Sequence, residues 1–138
     1  MSNLSKLRVL VADDHFIVRT GLVAVIEAEP DMEVVGQAAD GNQAVQCYDQ
    51  TLPDVALLDL RMPGRGGDSA IEAIRKDHPE ARVLILTAFS GDEDIHRALD
   101  AGARGYVLKS STGEELIPAL RAVAAGRGGP QAHSRPAA

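Results

Sequence analysis

The stretch "DVALLDLRMPG" (residues 54–64) holds an apolar run, Val55 to Leu58, that ends in a carboxylate, Asp59. Leu60, Arg61, Met62, Pro63 and Gly64 follow, and they cannot continue a central strand, because Pro removes a ladder donor and Gly marks a turn. Near-continuous apolarity suits a strand covered on both faces, as in a parallel sheet. An acid at the tip of such a strand needs a chemical reason.

Working outward, similar runs recur along the chain: "LRVLVA" (7–12), "MEVVGQA" (32–38), "RVLILTA" (82–88) and a weaker "GYVL" (105–108). Between them lie amphipathic stretches. Val18, Gly21, Leu22, Val25 and Ile26 share one helical face, and Ala70, Ile71 and Ile74 form a shorter stripe. Ser90 with Glu93, and Thr112 with Glu115, have capping-box spacing, while Gly102 and Gly126 suit helix C-termini. "DGN" (40–42) reads as a turn into a helix. Pro118 falls past the first turn of the last helix, where it is expected to kink it. The alternation predicts an α/β fold: a five-stranded, parallel, doubly wound sheet. Right-handed crossovers bring the strand C-termini to one edge, where such sheets keep their sites.

The chain has 138 residues, 45% hydrophobic and 25% charged, enough for one domain with a real core. Its formal net charge of -6 offers no electrostatic footprint for nucleic acid. Cys47 is the single cysteine, which excludes an internal disulfide, and its helical setting suggests a small buried apolar residue. No apolar segment reaches the length of a membrane span, and a cytoplasmic protein without membrane contact is expected. Residues 1–6 read as an N-terminal extension, 7–126 as the domain, and 127–138 as a Gly/Pro-rich disordered tail or linker remnant.

Four strand ends deliver polar groups to the carboxyl edge. Asp13 and Asp14 follow the first strand, Asp59 ends the third, Thr87 the fourth, and Lys109 follows the fifth. Taken singly, each has an ordinary explanation: a helix cap, a helix-dipole acid, a β-former or a solvated cation. Together they form a set. Converging carboxylates repel one another unless a cation neutralises them, and Mg²⁺ prefers oxygen ligands completed by water and phosphate. A nucleophilic carboxylate, a metal, a cationic clamp and a hydroxyl donor suit phosphoryl transfer.

At these residues the sequence resembles the receiver domain of two-component response regulators, from about Leu7 to Gly126. "ADDH", "LLDLRMPGRGG", "LTA" and "GARGYVLKSS" carry the likeness. "DDHFIVRTGL", "AADGNQAV" and "LKSSTGEELIPALRAVAAG" are similar to the NarL/LuxR-type subgroup. The resemblance implies a flavodoxin-like (βα)5 fold with Asp59 as phospho-acceptor, taking its phosphoryl group from a sensor histidine kinase. It implies Mg²⁺ held by Asp13, Asp14, Asp59 and the backbone carbonyl of Arg61, with Lys109 and Thr87 contacting the phosphate. Thr87 and Tyr106 become the switch pair, and small Ala88 leaves the acceptor accessible. The only catalysis implied is gain and loss of the domain's own phosphate.

Two features differ from common receivers. Ser110 replaces the Pro that often follows the lysine, so a cis bond is not expected there. The 13 residues from Gly126 to Ala138 are too few for a helix-turn-helix. The chain is thus either a stand-alone receiver or part of a longer regulator of transcription, with DNA contacted only through an output domain outside these residues. A homodimer on phosphorylation is the subgroup's expectation. The alternative within the fold is a pseudo-receiver that binds partners without phosphate, but such modules lack part of the Asp13–Asp14–Asp59–Thr87–Lys109 set. A dehalogenase-type phosphohydrolase needs an acid where Arg61 stands. A flavin carrier needs phosphate donors where Asp13 and Asp14 would repel the anion.

Overall fold

Along each central strand, alternate residues enter opposite cores. Leu10, Ala12, Ala56, Leu58, Val83 and Ile85 face one side, while Val9, Val11, Val55, Leu57, Leu84 and Leu86 face the other. The computed structural model describes residues 6–88 and 92–126. Its elements are β1 (Leu7–Ala12), α1 (Phe16–Glu27), β2 (Met32–Ala38), α2 (Gly41–Thr51), β3 (Val55–Asp59), α3 (Gly67–Asp77), β4 (Val83–Thr87), α4 (Asp92–Ala101), β5 (Gly105–Leu108) and α5 (Thr112–Ala124). A short 3₁₀ turn, Lys109–Ser111, joins β5 to α5.

The expected doubly wound sheet is present, all parallel, in the order β2-β1-β3-β4-β5. Helices α1 and α5 cover one face with Leu22, Ile26, Leu116, Ala119, Leu120 and Val123. Helices α2, α3 and α4 cover the other with Ala44, Tyr48, Ala70, Ile71, Ile74, Ile95 and Ala98. β3 therefore lies in the middle, buried along its whole length. The step from β1 back to β3 places the site between those two strand tips, where the winding reverses.

Several local expectations meet corrections. β2 is only half-buried, because it is an edge strand with a register shift opposite Val9 and Leu10. On α1, only Leu22 and Ile26 of the expected stripe are buried; Gly21 and Val25 are exposed and line a groove shared with Gly113 and Leu116 of α5. Cys47 is partly buried, with burial pushing its thiol pKa up, and a methyl on Gly36 would lie 2.3 Å from its Sγ. α5 runs continuously through Pro118, which sits on the exposed side where water can serve the carbonyl that loses its partner.

The turn signals hold. Asp40 caps α2 by accepting a hydrogen bond from the Gln43 N–H at 2.8 Å. Gly102 ends α4 at φ 122°, with Ala103 N–H donating to the Ala98 carbonyl in a Schellman arrangement. Gly126 follows α5 at φ 81°. No described peptide bond is cis, including the one before Ser110. Ser90, the side chain of Thr112, residues 1–5 and the tail 127–138 lie outside the described residues.

Candidate functional site

The site begins with strand pairing. Asp59 lies beside Leu86 in the register of β3 and β4, and Thr87 lies beside Leu108, the residue before Lys109. Across β3, Ala12 pairs with Leu58, so Asp13 emerges next to Asp59. The sheet's lattice thus places an acid, a second acid, a hydroxyl and an ammonium at adjacent strand ends.

Their side chains meet. Lys109 Nζ stands 3.1 Å from Asp59 Oδ2 and 3.3 Å from Asp13 Oδ2. Asp13 is 0% exposed, Asp59 3% and Thr87 4%. Lys109 is partly buried, and Asp14 is exposed. Burial pushes the Asp59 carboxyl above its ordinary pKa, and the neighbouring charge of Asp13 adds to this. Lys109 and the Arg61 N–H, which donates to Asp59 Oδ1 at 3.3 Å, oppose the shift without reversing it. Burial alone would lower the Lys109 ammonium pKa, but the charges of Asp59 and Asp13 outweigh it and raise the value. One cation is therefore shared between two buried carboxylates.

Does this site fit a divalent cation? Asp13 supplies the test. Its Oδ1 accepts a hydrogen bond from the His15 N–H at 2.8 Å, while buried Oδ2 faces only the Lys109 ammonium, 3.3 Å away and shared with Asp59. Asp13, Asp14, His15 and Asp59 offer one ligand atom each, all within 4.8 Å of one another. Excess negative charge, two buried carboxylates sharing one ammonium, and hard oxygen donors fit a hard cation such as Mg²⁺.

The acceptor loop is held by close packing. Leu60 N–H donates to the Leu86 carbonyl, and Gly67 N–H donates back to the Leu60 carbonyl, both at 2.9 Å. A methyl on Gly41 would approach the Arg65 carbonyl oxygen to 1.9 Å, so α2 abuts the loop only because that residue is glycine. The Arg61 side chain turns away to pair with Asp94 on α4, leaving its main chain at the acceptor. Arg97 pairs with the same Asp94 and reaches Asp68 at 3.7 Å. These charges flank a cleft of about 590 Å³ lined by Asp14, Arg61, Met62 and Pro63, among others. Tyr106 is half-buried and packs on the core face that α4 covers.

All the expected site residues except Tyr106 thus gather at one edge; Tyr106 lies one strand position below Val107, on the α4 side. Sequence reasoning gave no task to His15, whose Nδ1 lies 3.3 Å from Asp13 Oδ1 and from Asp14 Oδ1. Adjacency to the acidic pair was the available signal. It also missed Arg19, whose Nη1 donates to the Asp13 backbone carbonyl at 2.7 Å and pins the first loop. Here an arginine one helical turn into α1 was the clue.

Comparison with known proteins identifies the family. The family described as the response regulator receiver domain matches residues 9–121. The chain is 40% identical over 129 residues to the transcriptional regulatory protein LiaR of Bacillus subtilis, covering 94% of this chain and 60% of LiaR. Among solved structures, the signal receiver domain of a response regulator assigned as NarL from Mycobacterium tuberculosis superposes with a TM-score of 0.86 at 40% identity, covering 90% of this chain and 100% of that one. A two-component response regulator of the LuxR family from Aurantimonas sp. SI85-9A1 gives 0.86 at 43% identity, covering 91% and 89%. The chain therefore belongs to the response regulator receiver domain family, in its NarL/LuxR-type branch.

Proposed function

We propose that this chain is a phosphorylation-controlled switch in which Asp59 accepts a phosphoryl group from a phosphohistidine of a sensor histidine kinase. A single observation supports this most: the buried Asp59 carboxylate shares the one Lys109 ammonium with the buried Asp13 carboxylate. An Asp59 oxygen attacks phosphorus, the phosphorus–nitrogen bond of the donor breaks, and its electron pair stays on the departing imidazole. Lys109 meets the oxygens of the transferred group as a fixed positive charge. The Thr87 hydroxyl donates a hydrogen bond to the same group. Asp13, Asp14, Asp59 and the Arg61 carbonyl would hold Mg²⁺, which neutralises charge on those oxygens when bound.

Phosphorylation adds about two negative charges at a site that already repels them, and the domain responds by shifting between two conformations. Thr87 following the phosphate, with Tyr106 rotating beneath α4, carries that shift to the α4–β5–α5 surface. We take residues 7–126 as the receiver. The chain spans 60% and 54% of the length of two curated relatives, the LiaR protein and the oxygen regulatory protein NreC of Staphylococcus epidermidis. The output is then control of transcription, through a DNA-binding segment of a longer or partnered protein. A purely interaction-based module has no observation in its favour, since the full residue set is present.

Beryllofluoride or acetyl phosphate with Mg²⁺ is expected to shift the amide NMR spectrum, with Asp59→Asn abolishing the change. An unaltered wild-type spectrum overturns the reading. The same treatment is expected to raise the mass measured by light scattering from monomer to dimer; identical masses count against phosphorylation-driven assembly.

A further inference from the structure

Asp94, in the first turn of α4, binds two guanidiniums that come from different elements. One belongs to Arg61 of the acceptor loop, two residues beyond Asp59; the other belongs to Arg97, one turn along α4. Arg97 extends the chain of charge to Asp68 in the first turn of α3, 3.7 Å away. The network therefore ties α4 to the acceptor loop and to α3, across the cleft that all four residues line. Charge rather than packing holds the two guanidiniums in place, because the side chains of Arg61 and Arg97 are 70% and 58% exposed. The main chain of Arg61 meanwhile reaches the acceptor, its N–H donating to Asp59 Oδ1 at 3.3 Å. One residue thus touches both the acceptor carboxylate and α4.

A phosphoryl group on Asp59 adds about two negative charges beside this pair. They attract the Arg61 guanidinium and repel the Asp94 carboxylate, so both forces act to part them. Linkage is reciprocal: an ion pair that the added group weakens must itself weaken the binding of that group. We propose that Asp94 is an ion-pair latch that opposes occupancy of Asp59, holding the acceptor loop and α4 together through Arg61. The inference rests on the acceptor-site reading, because it needs the added charge to sit on Asp59. Asp94 touches no reacting atom and acts through Arg61 alone.

The test titrates the full chain with beryllofluoride in the presence of Mg²⁺ and follows amide NMR signals. Asp94→Asn keeps the shape and removes the charge; its half-saturation is expected at an about threefold lower concentration than in wild type, the size of one exposed ion pair. Asp94→Glu, which keeps the charge, is expected to stay near wild type. Asp94→Ser repeats the measurement should Asn disturb the first turn of α4. In an Arg61→Gln background the gain from Asp94→Asn is expected to shrink or vanish. An unchanged or weaker response in Asp94→Asn overturns the inference. So does an undiminished gain in the Arg61→Gln background, which marks plain repulsion by the Asp94 charge. Wild-type protein that gives no response to beryllofluoride overturns the acceptor-site reading itself.

Discussion

Asp59 is buried beside Asp13 with a shared Lys109, and its raised pKa makes ionisation costly to folding. A carboxylate whose folded pKa lies above its unfolded one adds stability below the unfolded pKa and loses it as pH rises through the folded pKa. At neutral pH, ionised Asp59 therefore opposes folding. Asp59→Asn is expected to raise Tm in metal-free buffer near pH 7, with the gain shrinking as pH falls into the carboxylate range. Circular dichroism melts at both ends of that window decide it, and an unchanged Tm near pH 7 contradicts it. The gathering of the candidate site residues was legible because strand tips follow from apolar runs, and four such tips deliver polar groups to one edge. The share of Lys109 between two acids was not legible, since it depends on side-chain reach across strands. Nor was the outward turn of Arg61, which answers to Asp94, a residue on a helix distant in sequence.

Among the elements, α5 carries the clearest conflict between sequence and fold. Pro118 breaks a local hydrogen bond, yet Leu116, Ala119, Leu120 and Val123 bury completely against the sheet and hold the helix together. Tertiary burial outweighs local preference here. Because Pro118 is exposed, Pro118→Ala is expected to raise stability by on the order of 2 kcal/mol, read as a higher midpoint in urea. No gain would show that the ring is accommodated without cost. The strands were legible from continuous apolar runs. The half-burial of β2 and the exposed Val25 on α1 were not, because strand order and the placement of neighbouring helices decide which stripe is covered. Periodicity along one segment carries neither.

For the whole molecule, the site is a concentration of negative charge within a chain of net charge -6. A ligand that binds only the folded state stabilises it by mass action. Mg²⁺ at about a hundredfold over its dissociation constant is expected to add about 2.7 kcal/mol, raising Tm by several degrees. Chelation reverses the gain, and calorimetry with and without EDTA measures it; an unchanged Tm contradicts a folded-state cation site. The sheet order has a further consequence. Asp13, Asp59 and Thr87 leave the three adjacent strands β1, β3 and β4, so their separation is set by the pitch of the hydrogen-bonded ladder, about 4.8 Å per strand. The helices cover that ruler without calibrating it. Changes on the outer helical faces therefore leave the spacing of the strand-tip groups unaltered.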